Sequence, residues 1–85
     1  MSWPDRSARI DFRTPRLLWM QVADDLRGMI ESGELRPGDR LPGEAEIAQL
    51  YGVSRDTIRR ATLELSEEGL LVILHGRGTY VAEQG

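Results

Sequence analysis

Residues 41–60 read LPGEAEIAQLYGVSRDTIRR. The apolar positions in this stretch fall into two short helical repeats, separated by a glycine. A first helix is expected from Glu44, burying Ile47, Ala48 and Leu50 on one face. Gly52 ends it, because the chain must pass through a left-handed backbone conformation that only glycine adopts without strain. Val53 tucks into the core, and Ser54 is placed to cap a second helix by accepting from the amide of Asp56 or Thr57. From there Ile58, Ala61 and Leu65 recur at helical spacing and face inward. Arg55 and Arg59, four residues apart, share a face that the core does not need. Helix periodicity, turn chemistry and charge placement agree on a helix-turn-helix, whose second helix is shaped to enter the major groove of DNA.

On the N-terminal side, residues 1–13 show no sustained period and are expected to form a loose arm. Thr14-Pro15 reads as a helix start, a capping hydroxyl followed by proline at the first helical position. Leu18, Val22, Leu26, Met29 and Ile30 then mark one helical face, ending at Ser32-Gly33. Pro37-Gly38 is a type II turn signal, and Arg40-Leu41 has room for a short strand before the second helix. On the C-terminal side the third helix is expected to end at Gly69. Leu71 and Ile73 alternate inward on a strand with Val72 and Leu74 outward, His75-Gly76-Arg77-Gly78 turns, and Thr79-Tyr80-Val81 returns. Three helices and a β-hairpin make a winged helix-turn-helix, a mainly α fold with a small β element, over residues 14–83.

Eighty-five residues are enough for one small domain. The chain has no cysteine, so it has neither disulfides nor thiolate metal ligands. Its only histidine is His75, with no carboxylate nearby in sequence, so neither a metal nor another cofactor is expected. No nucleophile–base pair is legible, and an enzyme is not expected. The apolar run Leu70 to Leu74 is far too short to span a bilayer, and no signal-like segment opens the chain; a soluble, cytoplasmic protein is expected.

The net charge of −3 runs against the basic footprint usual for a nucleic-acid binder. Its distribution accounts for most of this. Residues 21–50 carry three arginines against seven acids, whereas residues 51–60 carry Arg55, Arg59 and Arg60 against Asp56 alone. Arg77 sits at the hairpin tip, and Arg6, Arg9, Arg13 and Arg16 lie near the N-terminus. All eleven basic residues are arginine, the residue suited to bidentate contact with guanine and phosphate.

The order SGELRPGDRLPGEAEIAQLYGVSRDTIRRA, then EEGLL, then HGRGTYV resembles the DNA-binding domain of the GntR family of bacterial transcription regulators, and the wing resembles its HutC-like branch. The resemblance covers roughly residues 15–82. It implies a palindromic double-stranded DNA operator bound by a homodimer, with the third helix in the major groove and the wing near the minor groove. By position it implies that Arg55 and Arg59 read base edges, guanines of a GT/AC-type half-site, that Ser54 and Thr57 contact phosphates, and that His75 and Gly76 lie along the minor groove with Arg77 beside them. Arg60 points about 100° further round the helix, toward phosphate or toward solvent. Asp56 is either a partner of the helix dipole or a reader of cytosine N4. Trp19 and Tyr80 read as core aromatics.

Departures from the family pattern are local. Ala45 stands where an arginine is usual, Gly43 replaces a capping serine, Thr62 replaces leucine, and Leu63 falls on the outer side. Family members usually continue into a domain that binds a small effector and dimerises; eighty-five residues hold the DNA-binding unit alone, so no effector site is expected within it. The function expected is a sequence-specific transcription regulator of the repressor type. The alternative is a winged helix used for protein–protein contact, through outward Val72 and Leu74.

Overall fold

The computed structural model describes residues 3–14 and 16–83. Three α-helices, α1 (Leu18–Ser32), α2 (Glu44–Tyr51) and α3 (Arg55–Glu67), are followed by a hairpin of β1 (Leu71–Leu74) and β2 (Gly78–Val81). The strands are antiparallel, with Leu71 opposite Val81 and Leu74 opposite Gly78. The segment before α2 adds to the outer edge of the hairpin: Arg40 bridges Tyr80, and the Leu41 amide donates to the Thr79 carbonyl at 2.8 Å. The short strand expected at Arg40-Leu41 is thus reduced to one bridge. The Pro37-Gly38 turn forms as read, with Gly38 at φ 90° and the Asp39 amide donating to Arg36.

α3 packs against α1, α2 and β1, which fixes its inner face and leaves its outer face free. The core joins Val22 and Leu26 of α1, Ile47 and Tyr51 of α2, and Ile58 and Leu65 of α3, all fully buried. Leu71 and Val81 close it from the wing. The α2–α3 turn runs through Gly52 at φ 72°, whose amide closes the last turn of α2. Thr62, where leucine was the family's residue, is buried with its hydroxyl donating to the Arg59 carbonyl at 3.1 Å, so the polar atom is satisfied within its own helix. Leu63, Val72 and Leu74 are exposed, as their positions in the pattern require.

Four expectations need correction. The arm is not loose over its described part. A 3-10 turn at Ser7–Arg9 and buried Arg6 and Ile10 dock it onto the domain. The Arg6 amide donates to the Leu50 carbonyl at 2.8 Å, filling an orphan acceptor at the end of α2. Arg6 also holds Asp25 of α1 through Nε at 2.6 Å, and the Tyr51 hydroxyl donates to the same carboxylate at 2.6 Å. Second, α1 begins at Leu18, after an extended Leu17, rather than at residue 15; Pro15 itself lies outside the described residues. The Gln21 side chain explains the delay, since it accepts from the Asp11 amide and donates to the Asp11 and Arg16 carbonyls, so the Arg16 carbonyl is bonded outside the helix ladder.

Third, Tyr51 rather than Leu50 is the buried residue at the end of α2; Leu50 is half-buried. A tyrosine reads as partly polar, but here the hydroxyl has Asp25 to bond, which permits full burial of the ring. Fourth, α3 ends at Glu67, with Gly69 serving as the left-handed residue after it at φ 81°.

Candidate nucleic-acid interface

Ser54 caps α3 as its position predicts: its Oγ accepts from the Thr57 amide at 3.1 Å and lies 3.0 Å from the Thr57 hydroxyl. The cap sets the first turn of α3 and therefore the direction in which Arg55 leaves it. Arg55 and Arg59 project from the outer face with side chains 62% and 58% exposed. They do not hang free. Glu44, the first residue of α2, accepts from Arg55 Nη2 at 3.2 Å and from Arg59 Nη2 at 2.7 Å on Oε1, and from Arg59 Nε at 3.2 Å on Oε2. The Arg59 hydrogen bond, joined by that from Arg55, holds the Glu44 carboxyl below its ordinary value. Asp56 accepts from Arg59 Nη1 at 3.0 Å, so its carboxylate engages a neighbouring guanidinium.

One carboxylate thus ties two guanidiniums to the start of the preceding helix. Arg55 is held through Nη2 alone, whereas all three guanidinium nitrogens of Arg59 are engaged and each of its Nη atoms keeps one further N–H. Two such groups four residues apart can each address a planar pair of acceptors, such as O6 and N7 of guanine. Gly43 precedes Glu44 without a side-chain cap, and Ala45 is exposed and offers no donor.

Arg60 lies to one side. Its guanidinium stacks on the indole of Trp19 in α1, 4.8 Å from the ring centroid. Trp19 is half-buried and packs against the core with its inner part, so it is a core aromatic that also carries a cation. Tyr80, expected as a core aromatic, is instead half-buried outside the core cluster, and its hydroxyl donates to the Arg77 carbonyl at 3.1 Å.

His75, Gly76 and Arg77 form a second group, exposed at the hairpin tip. The Arg77 amide donates to the Leu74 carbonyl at 3.0 Å, and Gly76 takes φ 75°. Among the described residues these three make no hydrogen bond or ion pair with α3. The fold therefore gathers Ser54, Arg55, Thr57 and Arg59 into one cluster with Glu44, sets Arg60 against α1, and carries the tip residues on the wing.

Glu44 escaped the sequence reading, which used it only as a helix start. Its signal was present: an acid at the first position of α2, with α3 crossing close enough to bring two arginines to it. The Trp19–Arg60 stack had no such signal, because 41 positions separate the pair and only the packing of α1 on α3 joins them. Among the described residues no helix is long and apolar enough to cross a membrane, and no cluster of potential ligands could hold a metal ion.

The sequence pattern of the family described as "Bacterial regulatory proteins, gntR family" matches residues 18–81. The chain is 46% identical over 67 residues to the mannosyl-D-glycerate transport/metabolism system repressor MngR of Escherichia coli K12, covering 79% of this chain and 28% of that protein. It is 49% identical over 69 residues to the histidine utilization repressor of Klebsiella aerogenes, covering 81% and 29% respectively. The chain therefore spans less than a third of the length of these curated relatives. Among solved structures it is similar to YtrA from Sulfolobus acidocaldarius, a GntR-family transcription factor, with a TM-score of 0.84 and 32% identity over 94% of this chain and 84% of that one. It is also similar to AraR(DBD) in complex with operator ORX1, with a TM-score of 0.77 and 36% identity over 86% of this chain and 94% of that one. Fold, motif order and the match over residues 18–81 converge: this chain belongs to the gntR family of bacterial regulatory proteins.

Proposed function

We propose that this chain is the operator-binding unit of a bacterial transcription repressor, acting in the cytoplasm on double-stranded DNA. The observation that carries the reading is the exposed Arg55–Arg59 pair on the capped outer face of α3, steadied from α2 by Glu44. A recognition helix needs long donors that reach base edges and a scaffold that limits their wandering, since each rotamer frozen on binding weakens the complex. α3 enters the major groove N-terminus first; Arg55 and Arg59 donate to guanines, while Ser54 and Thr57 approach phosphates at the positive end of the helix. The wing tip, narrow because Gly76 and Gly78 carry no side chains, lies along the sugar–phosphate edge with His75 and Arg77. The similarity to AraR(DBD), whose structure holds an operator, supports the same docking.

One winged helix neutralises only a few phosphates, so a single copy binds in the range of about 10⁻⁴–10⁻⁶ M typical of non-specific contact. Two copies on a palindrome, with half-sites about one helical turn apart, supply the missing affinity. The free chain is then a monomer that pairs on DNA with a Hill coefficient above one. Titration onto duplexes carrying one and two half-sites, beside sedimentation of the free chain, tests this. Equal affinity for both duplexes, or a stable dimer without DNA, would contradict it.

A further inference from the structure

Of the three arginines of α3, Arg60 differs in kind from the other two. Arg55 and Arg59 have N–H donors committed to Glu44 and Asp56, whereas Arg60 makes no ion pair among the described residues and carries its guanidinium carbon over the Trp19 ring, 4.8 Å from the centroid. The first turn of α1, where Trp19 sits, holds no acidic residue, so no carboxylate in that turn competes for the guanidinium. A guanidinium stacked on an indole keeps its N–H edge open, because the donors lie in its plane and the ring occupies only a face. The contact also biases it away from the groove. Arg60 is one residue beyond Arg59, about 100° round the helix toward α1; a donor edge held there meets the strand that borders the groove, not the bases on its floor.

We propose that Trp19 and Arg60 form a phosphate-gripping site in which α1 joins the DNA interface, Arg60 contacting a backbone phosphate and Trp19 acting as the positioning residue that holds it. This inference rests on the DNA-binding reading above. It assigns Arg60 to sequence-independent affinity and gives Trp19 a role that packing alone does not require. An aromatic shelf of any kind serves the purpose; an aliphatic residue fills space without offering a negative ring face.

The test uses the full chain and a fluorescently labelled duplex of about 24 base pairs and arbitrary sequence, since a phosphate contact ignores sequence. Affinity is measured by anisotropy from roughly 50 to 200 mM salt, where each phosphate contact contributes about 0.9 to the slope of log K against log salt. Arg60→Gln is expected to reduce the slope by about that amount. Trp19→Leu is expected to do the same, and Trp19→Phe to retain the parent slope. A second readout leaves Trp19 in place: with Trp3→Phe, Trp19 is the sole indole, and its emission is expected to change on saturation with duplex. Adding Arg60→Gln should abolish that response. If Trp19→Leu does not fold, the Arg60→Gln slope and the single-indole emission decide. An unchanged slope in Arg60→Gln, a folded Trp19→Leu with the parent slope, or an emission response indifferent to Arg60 overturns the inference while leaving DNA binding intact. A parent chain that binds no duplex removes the DNA-binding reading and this inference together.

Discussion

Arg59 of α3 donates to the Glu44 carboxylate at the start of α2 across 2.7 Å, and Arg55 donates to the same oxygen. Glu44 is acidic and lies on the face assigned to DNA, where a negative charge weakens non-specific attraction. Glu44→Gln should therefore tighten binding to unrelated duplex while reducing the preference for the operator, because the arginines lose the charge that aims them. The ratio of dissociation constants for selected and unrelated duplex measures this. An unchanged ratio would show that Glu44 is a bystander. The Arg59 and Arg55 hydrogen bonds keep the carboxyl ionised below the usual glutamate range, so the preference should stay flat from about pH 7 to pH 5.

The docked N-terminal segment makes a different prediction. Arg6 and Asp25 form an ion pair with side chains only 8% and 12% exposed, and Tyr51 donates into it. Tyr51→Phe removes one hydrogen bond to a charged carboxylate and should cost about 1.5–3 kcal/mol. Arg6→Met strands a buried carboxylate and should cost more, about 3–5 kcal/mol. Thermal melts of the two variants check the order; a Tyr51→Phe loss equal to or larger than that of Arg6→Met contradicts it.

The same network has a pH signature. Burial pushes the Asp25 carboxyl up, but the Arg6 and Tyr51 hydrogen bonds and the Arg6 charge outweigh burial and leave it below its ordinary value of 3.8. A carboxyl with a depressed folded value stabilises fully above its unfolded value and loses that contribution as pH falls through the folded one. Acid unfolding of the native chain should therefore steepen below about pH 4, and Asp25→Asn should lack that component. Melts between pH 6 and pH 2 give the comparison. Parallel curves for the two chains would mean that Asp25 is not held in its charged form.

The helix-turn-helix was legible because its signals are local. Gly52, Ser54 and the apolar spacing of α3 each act within one turn of the backbone, and all three stand where read. The wing was legible for the same reason: alternation from Leu71 to Leu74 and a glycine-rich tip specify a hairpin without distant partners. What sequence concealed was long-range. The N-terminal segment has no period of its own and is ordered by Asp25 and Leu50, both far along the chain. Leu50 rather than Tyr51 is the core residue expected there, because the Asp25 carboxylate that bonds the tyrosine hydroxyl lies 26 positions away. At the candidate site the residue types on α3 could be read directly, whereas Glu44 and Trp19, which position them, depend on how three helices cross.

At Gly52 the backbone is left-handed at φ 72°, and an added Cβ would sit 3.6 Å from the Ser7 Cβ, an ordinary contact. Space is therefore not the obstacle; conformation is. Gly52→Ala should destabilise the domain by about 1–2 kcal/mol, and Gly52→Asn by less, since asparagine tolerates this region. A Gly52→Ala chain that melts with the native one would show that the turn can relax.

At the wing tip Arg77 is exposed, and its backbone carbonyl accepts from Tyr80. Its side chain should serve affinity and not sequence choice. Arg77→Ala is expected to weaken all duplexes by a similar factor and to lower the salt slope by about one. Loss confined to one base-pair position would instead make it a reader.

Whether α3 reads DNA through Arg55 and Arg59 is decided by selection from a pool of randomised duplexes, sequenced after several rounds with the native chain and with Arg59→Ala. The expected result is enrichment of an inverted repeat with a guanine in each half-site, centres about one helical turn apart, and loss of that guanine preference with Arg59→Ala. A pool that stays random with the native chain, or the same motif from both chains, would contradict it.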